Sequence, residues 1–77
     1  MIKVLLFAHL QEEAGQAQLE INKEEITVED LKKLLTAQYH LSKMDHVMAA
    51  VNEQYAVPED IVKSGDTVAL IPPVSGG

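Results

Sequence analysis

TVEDLKKLLTAQY, residues 27–39, is the stretch on which the fold turns. The Thr27 hydroxyl can accept a hydrogen bond from the backbone near Asp30, and Glu29 and Asp30 stand where the positive end of a helix dipole favours acids. Leu31, Leu34, Leu35 and Tyr39 recur at helical spacing, so one amphipathic helix is expected, ending near His40. Its apolar side needs a surface to cover, and the segments on both sides of it alternate with the period of strands.

Upstream, Ile2 to Ala8 places Ile2, Val4 and Leu6 on one face and Lys3, Leu5 and Phe7 on the other, as in a strand at the centre of a sheet. Gln16 to Ile21 alternates again, with Ala17, Leu19 and Ile21 on one side, and the polar His9 to Gly15 between them reads as the elaborated turn of a hairpin. Downstream, Val47 to Val51 is strand-like, Asn52-Glu53-Gln54 is a turn, and Tyr55 to Val57 is a short strand ended by Pro58. Ser64-Gly65-Asp66 is a second turn, before a last strand from Thr67 to Ile71. Five strands and one main helix in so short a chain fit an α+β fold, a mixed sheet with the helix packed on one face. In this β-grasp arrangement the first and last strands lie side by side and parallel at the centre.

Seventy-seven residues allow one small domain and leave little interior for an enclosed catalytic pocket, which directs attention to the surface and the tail. With one Phe, two Tyr and no Trp, the core must be aliphatic. Twelve acidic against six basic side chains give a net charge of -6, which repels nucleic acid and anionic membranes and steers towards basic protein partners. The absence of cysteine excludes disulfides and thiolate metal sites and agrees with a cytoplasmic protein. His9, His40 and His46 stand in separate segments without ligand spacing and are expected to be solvated, so no metal site is expected. Glu12-Glu13, Glu24-Glu25 and Glu59-Asp60 are read as solubilising acids.

Residues 1–72 are read as the domain and 73–77 as a flexible tail. Pro72-Pro73 cannot donate ladder hydrogen bonds and stiffens the chain as it leaves the last strand. Pro73 to Gly77 could reach roughly 16 Å, and Gly76 and Gly77 would let a thin backbone enter a narrow channel behind a terminal carboxylate. Many termini, however, end in small residues with no role. If Val4, Leu6, Val68 and Leu70 face the helix, then Leu5, Phe7, Ala69 and Ile71 share the opposite face near the tail, and Tyr55 could extend it. Such a surface on an acidic protein reads as a docking patch, the alternative being a shallow core closed by a loop.

Ile2-Lys3-Val4-Leu5-Leu6-Phe7-Ala8, Thr27-Val28-Glu29-Asp30-Leu31, Ala50-Val51-Asn52, Gly65-Asp66-Thr67-Val68-Ala69 and Ile71-Pro72-Pro73-Val74-Ser75-Gly76-Gly77 together resemble a known family along the whole chain. It is that of the small, sulfur-carrying subunits of molybdopterin synthase, among the ubiquitin-like sulfur carriers. The resemblance implies that an ATP-dependent enzyme of the ubiquitin-activating type adenylates the Gly77 carboxylate, giving a transient glycyl-AMP. Sulfur from a donor protein then replaces AMP to leave a thiocarboxylate. It further implies that Pro72, Pro73, Val74, Ser75 and Gly76 carry Gly77 into the large subunit of a heterotetramer, where cyclic pyranopterin monophosphate becomes the molybdopterin dithiolene. Phe7, Tyr55 and Ile71 are implied as the grip for both partners. The carrier would not be an enzyme by itself, since the catalytic side chains belong to its partners, and it would hold no permanent cofactor. The family often has a basic residue where this chain has Gln11 and an aromatic where it has Ile71. A carrier for thiamine or tRNA thiolation, and an interaction domain with an inert tail, are the competing readings.

Overall fold

The computed structural model describes residues 1–42, 44 and 46–73. Along the chain run β1 (Ile2–Leu6), α1 (His9–Ala14), β2 (Gln18–Ile21), β3 (Glu25–Thr27), α2 (Val28–Tyr39), β4 (Met48–Val51), β5 (Gln54–Ala56), β6 (Ile61–Lys63) and β7 (Thr67–Ile71). Five strands form a mixed sheet in the order β2-β1-β7-β4-β5, with β1 and β7 parallel at its centre and the other neighbours antiparallel. This is the expected β-grasp topology.

Helix α2 begins as its sequence requires: the Thr27 Oγ1 accepts from the Asp30 N–H at 3.1 Å, and His40 ends it in a left-handed conformation. Two further N–H groups of its first turn are satisfied from outside the helix, Val28 donating to the Asp60 carbonyl and Glu29 to that of Pro58. Val28, Leu31 and Leu35 are buried against Ile2, Val4, Leu6, Val68 and Leu70, which are at most 1% exposed. Alternation along β1 and β7 thus assigns one face to the helix, and the aliphatic composition fills it.

Two features differ from the expectation. Residues 9–14 are a one-and-a-half-turn helix rather than a turn, pinned by the single buried Leu10 and stopped at Gly15 with φ 78°. β3 and β6 form a second, two-stranded antiparallel sheet in which Ile26 pairs with the fully buried Val62. Each strand is only three residues long, too short for alternation to announce it.

At the end of the sheet opposite Ile71, Asp66 ties the Ser64-Gly65-Asp66 turn to the turn after β4. Its carboxylate accepts from the Lys63 N–H at 2.9 Å and from the Asn52 Nδ2 at 3.0 Å, and these bonds, the backbone one first, hold its pKa below the usual carboxylate range. Asn52 and Glu53 join β4 to β5 with φ 50° and 71°, the two left-handed positions of a type I′ hairpin turn. Asn suits such a position and Glu does not. Glu53→Gly is expected to raise stability by about 0.5–1 kcal/mol, relief of strain outweighing the added freedom of the unfolded chain. Thermal unfolding checks it, and an unchanged or lower Tm would show Glu53 to be unstrained.

Candidate functional site

The sheet face away from α2 is graded along its length, and the register shows how. The middle row places Gln18, Leu5, Ala69, Ala50 and Tyr55 side by side across five strands. Two residues nearer the amino end of β1 the row is polar: Glu20, Lys3 and Thr67. Two residues towards the carboxyl ends of β1 and β7 it is apolar and uncharged: Ile71 pairs with Met48, and Phe7 and Val57 stand one step beyond the last paired residues on either side. Phe7 is 44% exposed, Met48 46%, Val57 54% and Tyr55 72%. Leu5, Ala69 and Ile71 are half-buried by their neighbours. Around Ala50 and Ala69, with Leu5, Thr67, Asn52 and Glu53, the face forms an open depression of about 350 Å³.

Leu5, Phe7, Ala69 and Ile71 therefore do share a face, and Tyr55 adjoins them. Sequence reasoning passed over Met48 and Val57. The signal for Met48 was available, since alternation from Ala50 places it on the same face, but which face of β4 meets the helix is undecided until β4 is paired with β7.

Phe7 owes its position to a sharp bend. Ala8 has φ 53° and ψ −130°, and the Leu10 N–H donates to the Phe7 carbonyl at 3.1 Å, which makes residues 7–10 a type II′ turn with Ala where Gly is favoured. The turn throws the chain into α1, and α1 is fastened to the segment after α2. His9 Nε2 donates to the Ser42 carbonyl at 2.9 Å, and the Glu13 carboxylate accepts from the Ser42 N–H at 2.8 Å and from its hydroxyl at 2.5 Å. His9 is thus half-buried and bonded rather than solvated, and Glu13 is a structural acid rather than a solubilising one. His40 and His46 are exposed, as expected. Gln11, where the resembling family often has a basic residue, is exposed on α1.

β7 stops at Ile71, where the prolines begin. Pro72 is buried and Pro73 exposed, at the apolar end of the open face. Val74, Ser75, Gly76 and Gly77 lie outside the described residues. Among the described residues no group of three or more His, Asp or Glu could hold a metal ion, and no helix is long and apolar enough to cross a membrane.

Comparison with known proteins adds three findings. Residues 4–77 match the model of the ThiS family. The chain is 38% identical to the molybdopterin synthase sulfur carrier subunit of Escherichia coli over the full length of both, and 40% identical to that of Chlamydomonas reinhardtii over 99% of this chain and 98% of the relative. Its fold is similar to the crystal structure of SAMP1, the small archaeal modifier protein 1 of Haloferax volcanii, with a TM-score of 0.84 and 30% identity over 99% of this chain and 98% of that one.

Proposed function

Because this chain belongs to the ThiS family, we infer that it is the sulfur carrier subunit of a molybdopterin synthase and serves molybdenum cofactor biosynthesis. The observation that carries this reading is the full-length similarity to two curated carriers of that enzyme, one bacterial and one algal, with the family match running through residue 77. The geometry supports it, because β7 ends beside an uncovered apolar row.

The chemistry follows from the weakness of a carboxylate as an electrophile. An activating enzyme of the ubiquitin-activating type joins the Gly77 carboxylate to AMP, releasing pyrophosphate, and the mixed anhydride gives a sulfur nucleophile a good leaving group to displace. The product is a thiocarboxylate, whose sulfur goes to cyclic pyranopterin monophosphate in the large subunit; hydrolysis returns the carboxylate. In this reading the chain holds no resident cofactor and supplies no acid or base. It presents Gly76 and Gly77 at the end of Pro72 to Ser75, and it docks through Phe7, Tyr55 and Ile71, joined in this reading by Met48 and Val57, which are exposed in the same row. The cycle runs in the cytoplasm, where ATP is available.

The intact mass after incubation with ATP, the activating enzyme and a sulfur source tests this directly. Exchange of one oxygen for sulfur adds about 16 Da, and a Gly77-deleted control should gain nothing. No gain, with the activating enzyme competent on another carrier, would end the carrier reading. Binding to a molybdopterin synthase large subunit then separates this pathway from thiamine or tRNA thiolation. Phe7→Asp is expected to weaken that binding by about 100-fold, because it places an unpaired charge in a desolvated apolar contact, while Tm changes by only about 2 °C. Titration calorimetry reads the first and thermal unfolding the second; undiminished affinity would move the docking surface elsewhere.

Similarity to a small archaeal modifier protein favours a second use of the same acyl adenylate, in which a lysine ε-amine displaces AMP and leaves an isopeptide. Lys63 is the last basic residue, so trypsin would leave residues 64–77 on any modified lysine. Finding that remnant in ATP-supplied extract would establish the second use, and its absence would leave sulfur transfer alone.

A further inference from the structure

Met48 stands inside the apolar row at the tail end of the open face, paired with Ile71, and is 46% exposed. With no cysteine in the chain, the thioethers of three methionines are its only side-chain sulfur atoms. Their surroundings differ. Met1, 62% exposed, sits at the opposite end of the sheet, where its amino group donates to the Ser64 hydroxyl at 2.7 Å and its carbonyl accepts from the Gly65 N–H at 2.9 Å. Met44 is half-buried and packs against the core. Of the three, only Met48 combines access to solvent with a place in the row that the carrier reading assigns to its partners.

We propose that Met48 is a modification site, at which oxidation by a hydroperoxide switches off docking of the carrier. This rests on the docking surface described under the proposed function. In the step, the thioether lone pair attacks one peroxide oxygen: an S–O bond forms as the O–O bond breaks, and with hydrogen peroxide the sulfur-bound oxygen gives up its proton, which the other oxygen takes as it leaves as water. Sulfur loses two electrons and the peroxide gains them. A flexible apolar side chain that suits contact with changing partners becomes a polar one with a strong acceptor oxygen. The side chains of Phe7, Ile71 and Val57 offer that oxygen no donor, so a dry contact would enclose it unsatisfied. The change is reversible by methionine sulfoxide reductases, which makes it a switch rather than only damage.

The test uses the full chain in its carboxylate form, since a thiocarboxylate would itself consume peroxide. Hydrogen peroxide is applied in graded doses, fragment-ion mapping assigns oxidation to each methionine, and affinity for the large subunit is measured before and after. Met1 and Met48 should oxidise ahead of Met44, and affinity should fall about tenfold or more in step with Met48 sulfoxide. Methionine sulfoxide reductase should restore it. For Met48→Leu the ratio of affinities after and before treatment should stay near one, whatever the starting affinity, whereas Met44→Leu should lose affinity as the parent does. Unchanged affinity with Met48 fully oxidised, or an equal loss in Met48→Leu, would overturn the proposal. An untreated carrier that does not bind the large subunit would instead retire the docking surface, and the switch with it.

Discussion

Deletion of Gly76 and Gly77 is expected to abolish sulfur loading, by about 1,000-fold or more, while leaving Tm within about 1 °C of the parent. The shortened chain still ends in a carboxylate, on Ser75, so the loss would come from reach and shape rather than from lack of a reacting group. Two residues carry about 7 Å of extended chain, and their removal also puts a side chain where a narrow channel would have met bare backbone. Stability should be indifferent because the buried cluster closes without them: β7 ends at Ile71 and Pro72 is already packed. The mass gain with ATP, activating enzyme and sulfur source reads the first half and thermal unfolding the second. Loading that survived the deletion would show that the Gly-Gly ending is not required of the carrier, and a large drop in Tm would show that the tail belongs to the domain.

Leu35→Ala should do the reverse, costing about 3 kcal/mol of stability and leaving the chemistry of the tail intact in whatever fraction stays folded. Leu35 is fully buried in the cluster between α2 and the sheet, so truncation leaves a cavity that neighbours from two layers cannot close together. A domain of this size has roughly 4–11 kcal/mol in total, so Tm should fall by about 15 °C. Denaturant and thermal unfolding measure it. A loss below about 1 kcal/mol would mean that the helix packs loosely there. Together the two variants separate fold from function, since one removes the tail without touching the core and the other weakens the core without touching the tail.

The elements that could be read in advance are those whose signal lies within a few consecutive residues. The Thr27 cap, the Leu31-Leu34-Leu35-Tyr39 stripe and the stop at His40 are local, and all three are found in α2. The same holds for β7, whose bounds at Thr67 and Ile71 follow from a Gly-Asp turn on one side and two prolines on the other. β1 and β7 each alternate cleanly, which was enough to infer the central parallel pair once the helix was placed between them. Gly76 and Gly77 were singled out from backbone chemistry and from resemblance, and they lie outside the described residues.

What could not be read depended on partners distant in sequence. α1 has one buried residue, Leu10, and five others without an apolar period, so its helical form is imposed by the bend at Ala8 and by the bonds from His9 and Glu13 to Ser42. β3 and β6 exist because the 33 intervening residues fold back to pair three positions with three, a gain that only the assembled structure can supply. Ala8 at φ 53° has no sequence signal at all, because alanine gives no warning of a strained turn that surrounding contacts enforce. By itself the sequence determined the core face, the main helix and the central strand pair, since each depends on local period. Only the tertiary structure decided that Phe7, Ile71, Met48 and Val57 form one uncharged row beside the end of β7, because that row is assembled across four strands from residues up to 64 positions apart and exists only in their register.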